Sequence, residues 1–148
     1  MSGPRPEAPI KPRASRAERG PGVRVLIVED SPLVRKMYGL VFSKREHDLT
    51  TAEDGRKALE ALAASPHPFD LILLDLRMPD MDGVEFIREV RRGGRFRDIP
   101  IVLTTVEPDG SELLQAALAQ GVAAVVKKPW KPHELRAVVQ SVLRESRP

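Results

Sequence analysis

The sequence predicts an α/β fold in which a doubly wound, five-stranded parallel sheet is covered by five helices. Three observations carry that prediction. Short runs rich in valine, isoleucine and leucine recur at residues 23–28, 71–74, 101–105 and 122–126, with a weaker fifth at 48–52. Three of these runs are apolar almost without interruption, which suits strands covered on both faces. The segments between them follow a helical period, and regular β/α alternation implies right-handed crossovers within a parallel sheet.

Each helix has its own punctuation. Ser31 offers an N-cap and Pro32 a first helical residue, after which Leu33, Val34, Met37 and Val41 repeat on one side. Ala58, Leu59 and Leu62 form a shorter stripe. Asp82-Gly83 precedes a helix carrying Val84, Ile87 and Val90, and Gly121 stands after 113–120, where a left-handed helix stop is common. Pro132 opens a last helix with Leu135, Val138, Val139, Val142 and Leu143.

The chain of 148 residues is long enough for one core without staples. It has no cysteine, which excludes disulfides and thiolate metal sites. No stretch approaches the roughly 18 apolar residues of a membrane span, and the N-terminus lacks the apolar core of a secretory signal, so a cytoplasmic location is expected. The pI near 9.5 has a local origin. Residues 1–22 hold five basic and two acidic side chains, while 23–148 hold 19 of each. The first segment, with five prolines and three glycines, is expected to be a disordered basic tail, and 23–148 the folded domain. Its diffuse charge suits a solubilising leader better than an arm for nucleic acid.

In open parallel sheets ligands bind beyond the carboxyl ends of the strands. Those ends here carry Glu29-Asp30, Asp75, Thr104-Thr105 and Lys127-Lys128-Pro129. Glu29, Asp30 and Asp75 would meet on one rim, and carboxylates that close repel unless a proton or cation intervenes. An all-oxygen donor set without a histidine pair points to Mg2+, or Mn2+ in its place, rather than zinc. A carboxylate beside such an ion and a lysine can attack phosphorus, and a threonine hydroxyl can bond the phosphoryl oxygens.

With those residues in place, the sequence resembles the flavodoxin-like receiver domain of bacterial two-component response regulators, from about Val23 to Leu143. The run Val25 to Asp30 is similar to the family's first strand and acidic pair. Residues 73–83, LLDLRMPDMDG, are similar to the surroundings of its phosphorylated aspartate. Thr105 falls at the switch hydroxyl, and Lys128-Pro129 at the lysine and proline after strand five. The resemblance implies strand order 2-1-3-4-5 and a cis peptide before Pro129. It also implies Asp75 as phosphoacceptor, a metal held by Asp30, Asp75 and the backbone carbonyl of Arg77, and Glu29 assisting through water. Thr105 and Lys128 would bind the phosphoryl group.

Lys128 is preferred to Lys127 because it directly precedes the proline, and the resemblance implies Thr105 over Thr104, since the family's pattern places the hydroxyl five residues on from Pro100. Arg77 and Glu107 occupy family positions that tune dephosphorylation, and their opposite charges allow either a shielding salt bridge or two solvated side chains. Val125 stands where many members have an aromatic residue, and the segment from Thr105 to Lys128 is one residue longer than in simple members. Trp130 is open between a partner anchor and packing on the sheet edge. Arg91, Arg92, Arg95 and Arg97 are read as a solvated loop, and His47, His67 and His133 as surface residues.

The resulting expectation is a stand-alone switch that accepts a phosphoryl group from a sensor histidine kinase or phosphotransfer protein. It would catalyse only its own phosphorylation and dephosphorylation, and signal by onward transfer or through the face of the fourth helix, fifth strand and fifth helix. A scaffold working without phosphorylation is the alternative. A phosphatase is disfavoured because Arg77 stands where a second aspartate is needed. The balanced charge of the domain argues against nucleic acid, and the acidic first loop against a flavin-type phosphate site.

Overall fold

The strands β1 (Val23–Val28), β2 (His47–Ala52), β3 (Leu71–Asp75), β4 (Ile101–Thr105) and β5 (Ala124–Lys127) form one parallel sheet in the order β2-β1-β3-β4-β5. The computed structural model describes residues 22–146 apart from Pro79. The expected tail falls on residues 1–22, of which only Gly22 lies among those described.

Alternation along the strands divides the core. Val25, Ile27, Leu71, Leu73, Val102 and Val126 face one side, where α1 (Pro32–Val41) and α5 (Pro132–Glu145) supply Tyr38, Val41, Leu135, Val139 and Val142. Leu26, Val28, Ile72, Leu74, Ile101 and Leu103 face the other. That side is covered by α2 (Gly55–Ala64), α3 (Gly83–Arg92) and α4 (Glu112–Ala119). The central strands are buried on both faces, whereas edge strand β2 is half covered, which explains its weak apolar signal.

Side-chain caps start four of the helices. Ser31 Oγ accepts from the Val34 N–H at 3.3 Å and Asp54 Oδ1 from Lys57 at 2.8 Å. Asp82 Oδ1 accepts from Glu85 and Ser111 Oγ from Leu114, both at 2.9 Å. Each contributes on the order of 1 kcal/mol. At Gly83 an added Cβ would lie 2.9 Å from the Leu76 carbonyl oxygen and 3.0 Å from Leu76 Cα. Only glycine lets the start of α3 pack this closely on the loop leaving Asp75.

Some expected details change. The inner stripe of α1 is Val34, Tyr38 and Val41, while Leu33 is 68% exposed and Met37 and Leu40 also face outward. Packing against β1 and α5 chooses the face, and the aromatic residue wins the inward position. The fifth strand begins at Ala124 instead of 122, because the Ala123 N–H bonds the Ile101 carbonyl at 2.8 Å as the chain leaves the Gly121 turn at φ 87°. Arg91 and Arg92 belong to the last turn of α3. Arg91 is half-buried and donates to the carbonyls of Arg97, Ile99 and Gly121 at 2.6, 2.9 and 3.1 Å, so it ties two loops together instead of standing in solvent.

Candidate phosphoacceptor and metal site

β1 and β3 are neighbours whose chains leave toward opposite faces, and the crevice between their carboxyl ends is the place where such sheets bind ligands. Glu29 and Asp30 follow β1, Asp75 ends β3, and Lys128 follows β5. Carboxylate oxygens of Glu29, Asp30 and Asp75 lie within 4.8 Å of one another.

Lys128 holds this cluster from one side. Its Nζ is 3.0 Å from Glu29 Oε1 and 3.4 Å from Asp75 Oδ1. The Lys128 N–H donates to the Thr105 carbonyl at 2.8 Å, and the peptide to Pro129 is cis. Glu29 Oε2 accepts from the Ser31 N–H at 3.2 Å, and Arg35 donates to the Glu29 carbonyl at 2.8 Å. Glu29 is thereby fixed and buried, while Asp30 remains open to solvent.

Asp75 is 8% exposed. Burial pushes its carboxyl up to about 6, the charge of Glu29 adds to the push, and Lys128 with the Arg77 N–H offsets part of it. One proton or one cation relieves the crowding. The donor set is oxygen only and convergent, so these residues fit a hard divalent ion.

Thr105 is buried, and its Oγ1 accepts from the Glu107 N–H at 2.9 Å. Among the described residues no hydrogen bond joins its hydroxyl to Asp75 or Lys128. The rim therefore unites Glu29, Asp30, Asp75 and Lys128, while the Thr105 hydroxyl restrains the loop that follows β4. Thr104 is the register partner of Asp75 and shares its sheet face.

Arg77 and Glu107 form a two-pronged ion pair, Nε to Oε2 at 2.5 Å and Nη2 to Oε1 at 3.3 Å. Of the two possibilities open from sequence, the bridge is the one formed. The Arg77 hydrogen bond holds the Glu107 carboxyl below its ordinary value, with Ser111 assisting. Lys127 is exposed, pairs with Asp109 at 2.9 Å and bonds the Glu107 carbonyl, so the β4–α4 loop is held from β3 and β5 together. Trp130 is half-buried and stacks on Tyr38, a contact that sequence reasoning missed. The available signal was Tyr38 itself, four residues after Val34 and three before Val41 on the inward side of α1.

The chain belongs to the response regulator receiver domain family, whose model matches residues 25–140. It is 40% identical over 124 residues to the cyclic di-GMP phosphodiesterase response regulator RpfG of Xanthomonas campestris pv. campestris (strain 8004), covering 83% of this chain and 32% of that protein. The solved chemotaxis response regulator CheY4 of Vibrio cholerae is 33% identical with a TM-score of 0.74, covering 82% of this chain and 98% of that one. The receiver domain of sensor histidine kinase PA1611 from Pseudomonas aeruginosa PAO1, solved with a magnesium ion in its active-site cleft, is 27% identical with a TM-score of 0.74, covering 83% and 98% of the two chains. The chain spans 12–32% of the length of the first four curated relatives it matches.

Receiver domains are switches of phosphorylation-dependent two-component signalling rather than enzymes in the usual sense, and they interact with histidine kinases or phosphotransfer proteins. They bind Mg2+ at an acidic site, and the cluster of Glu29, Asp30 and Asp75 fits that use. No helix among the described residues is long and apolar enough to cross a membrane.

Proposed function

We propose that residues 23–148 form a switch in which Asp75 accepts a phosphoryl group from a histidine kinase or phosphotransfer protein. The observation that carries this reading is the placement of Lys128 Nζ 3.0 Å from Glu29 and 3.4 Å from Asp75, inside a three-carboxylate cluster. An Asp75 oxygen attacks phosphorus, the bond to the donor breaks, and the donor leaves with its electron pair. Lys128 opposes charge on the phosphoryl oxygens. Asp30, Asp75 and the Arg77 carbonyl would hold Mg2+ or Mn2+, with Glu29 acting through water, and the ion supplies further positive charge when bound.

The same residues carry the switch. To reach a phosphoryl oxygen, the Thr105 hydroxyl gives up the Glu107 N–H and removes one of the restraints on the β4–α4 loop. Reversing a 1:99 preference to 99:1 takes about 5.5 kcal/mol of differential interaction. Thr105 and Lys128 supply most of it. The output is a protein contact on the α4, β5 and α5 face or onward phosphotransfer, and the switch works in the cytoplasm.

Incubation with Mg2+ and a small acyl phosphate, followed by intact mass and peptide mapping, tests the reading. A gain of one phosphoryl group on Asp75 supports it. No gain from any donor leaves a receiver-like scaffold that binds partners without phosphorylation.

The Arg77–Glu107 pair spans the two loops beside Asp75 and limits the approach of water. Arg77→Ala is expected to shorten the phosphoryl half-life several-fold at unchanged loading, followed by loss of the added mass with time. An unchanged half-life would remove the shielding role.

A further inference from the structure

The chain has one tyrosine and one tryptophan, and the fold stacks them. The rings of Tyr38 and Trp130 have centroids 5.2 Å apart and an interplanar angle of 26°. Tyr38 is 1% exposed, and its hydroxyl donates to Thr104 Oγ1 at 3.2 Å. Thr104 lies beside Asp75 in the sheet register, and Trp130 lies two residues after Lys128. A closed circuit results. It runs from Asp75 to its β4 neighbour Thr104, through the Tyr38 hydroxyl and ring to Trp130, and along the β5–α5 turn to Lys128, which returns to Asp75.

Three physical facts give this circuit a use. A buried phenol bonded to a buried threonine is costly to unpair, so the link resists breaking. Burial, with the charges of Glu29 and Asp75 adding to it and the Thr104 hydrogen bond offsetting part, pushes the Tyr38 phenol up to about 12, so the hydroxyl keeps its proton as the donor to Thr104. Val125 is aliphatic, which leaves β5 without an aromatic hydroxyl of its own.

We infer that Tyr38 is a positioning residue that ties loading of Asp75 to the turn bearing Trp130, and through that turn to the packing of α1 on α5. The inference rests on Asp75 being the acceptor. A phosphoryl group adds close to two charges and draws Lys128 from Glu29, which moves the turn on which Trp130 sits. The Tyr38 ring, anchored to Thr104, re-seats against it.

Trp130 fluorescence and intact mass are read on the same Mg2+-loaded samples before and after the small acyl phosphate. Phosphorylated wild type is expected to show a changed emission. Tyr38→Phe keeps the ring, and Thr104→Val removes the same hydrogen bond from the other end. Each variant should reach wild-type loading yet lose most of the emission change, and the double variant should lose no more. If Tyr38→Phe fails to fold, Thr104→Val carries the comparison. Full loading of the wild type with constant emission, or an undiminished change in a folded variant, overturns the coupling and leaves the acceptor role standing. No loading of the wild type overturns both.

Discussion

Asp75→Ala is expected to fold and gain no phosphoryl group, and the closer isostere Asp75→Asn should also be more stable than the wild type above pH 6. The first effect is all or none, because among the described residues no other carboxylate combines the Lys128 contact with a place at the end of β3. The second follows from the direction of the Asp75 shift, up from 3.8 to about 6 through burial and the charge of Glu29. Between these values the folded protein holds a proton that the unfolded chain has released. The stabilising effect of that proton is complete below about pH 4 and is lost as pH rises through 6. About two pH units correspond to roughly 3 kcal/mol, and solvent at the open rim reduces this to roughly 1–2 kcal/mol. Melting in chelator should therefore show Asp75→Asn above the wild type at pH 8, with the gap closing toward pH 4. A gap independent of pH would mean that Asp75 is not the strained group.

Withdrawal of divalent metal is expected to slow phosphoryl gain by on the order of 10²-fold or more, because Lys128 alone then faces the transferring oxygens. Asp30→Ala should approach the same low rate even with Mg2+ present. Asp30 is the exposed member of the cluster, so its loss disturbs little packing. In the wild type Mg2+ should also raise the melting temperature, by about 1.4 kcal/mol of stabilisation at tenfold excess over Kd. The rise should be larger at pH 8 than at pH 5, where the Asp75 proton competes with the ion. A wild-type melting temperature and phosphorylation rate both indifferent to Mg2+ would count against the metal site.

The sheet and its rim were legible because each depends on local residues and period. Continuous apolar runs mark β1, β3 and β4, and the polar residues that end them are adjacent in sequence. Capping residues Ser31 and Asp82 and the Gly121 turn marked helix boundaries for the same reason. The strand order and the cis Lys128–Pro129 peptide were implied by family resemblance, and the structure has both. The inward face of α1 was misread, since Leu33 and Tyr38 are both plausible core residues until a sheet and α5 are packed against the helix.

By itself the sequence determined that a parallel α/β sheet would carry Glu29, Asp30, Asp75, Thr104-Thr105 and Lys127-Lys128 to its carboxyl rim, because strand ends and helical period are local properties. Tertiary packing alone decided how that rim is wired. It joined Arg77 to Glu107 across 30 residues, turned the Thr105 hydroxyl to the Glu107 N–H, and closed Tyr38 on Thr104 and Trp130. Those contacts depend on which sheet face and which loop approach one another, and side chains distant in sequence acquire that proximity only when the core is packed.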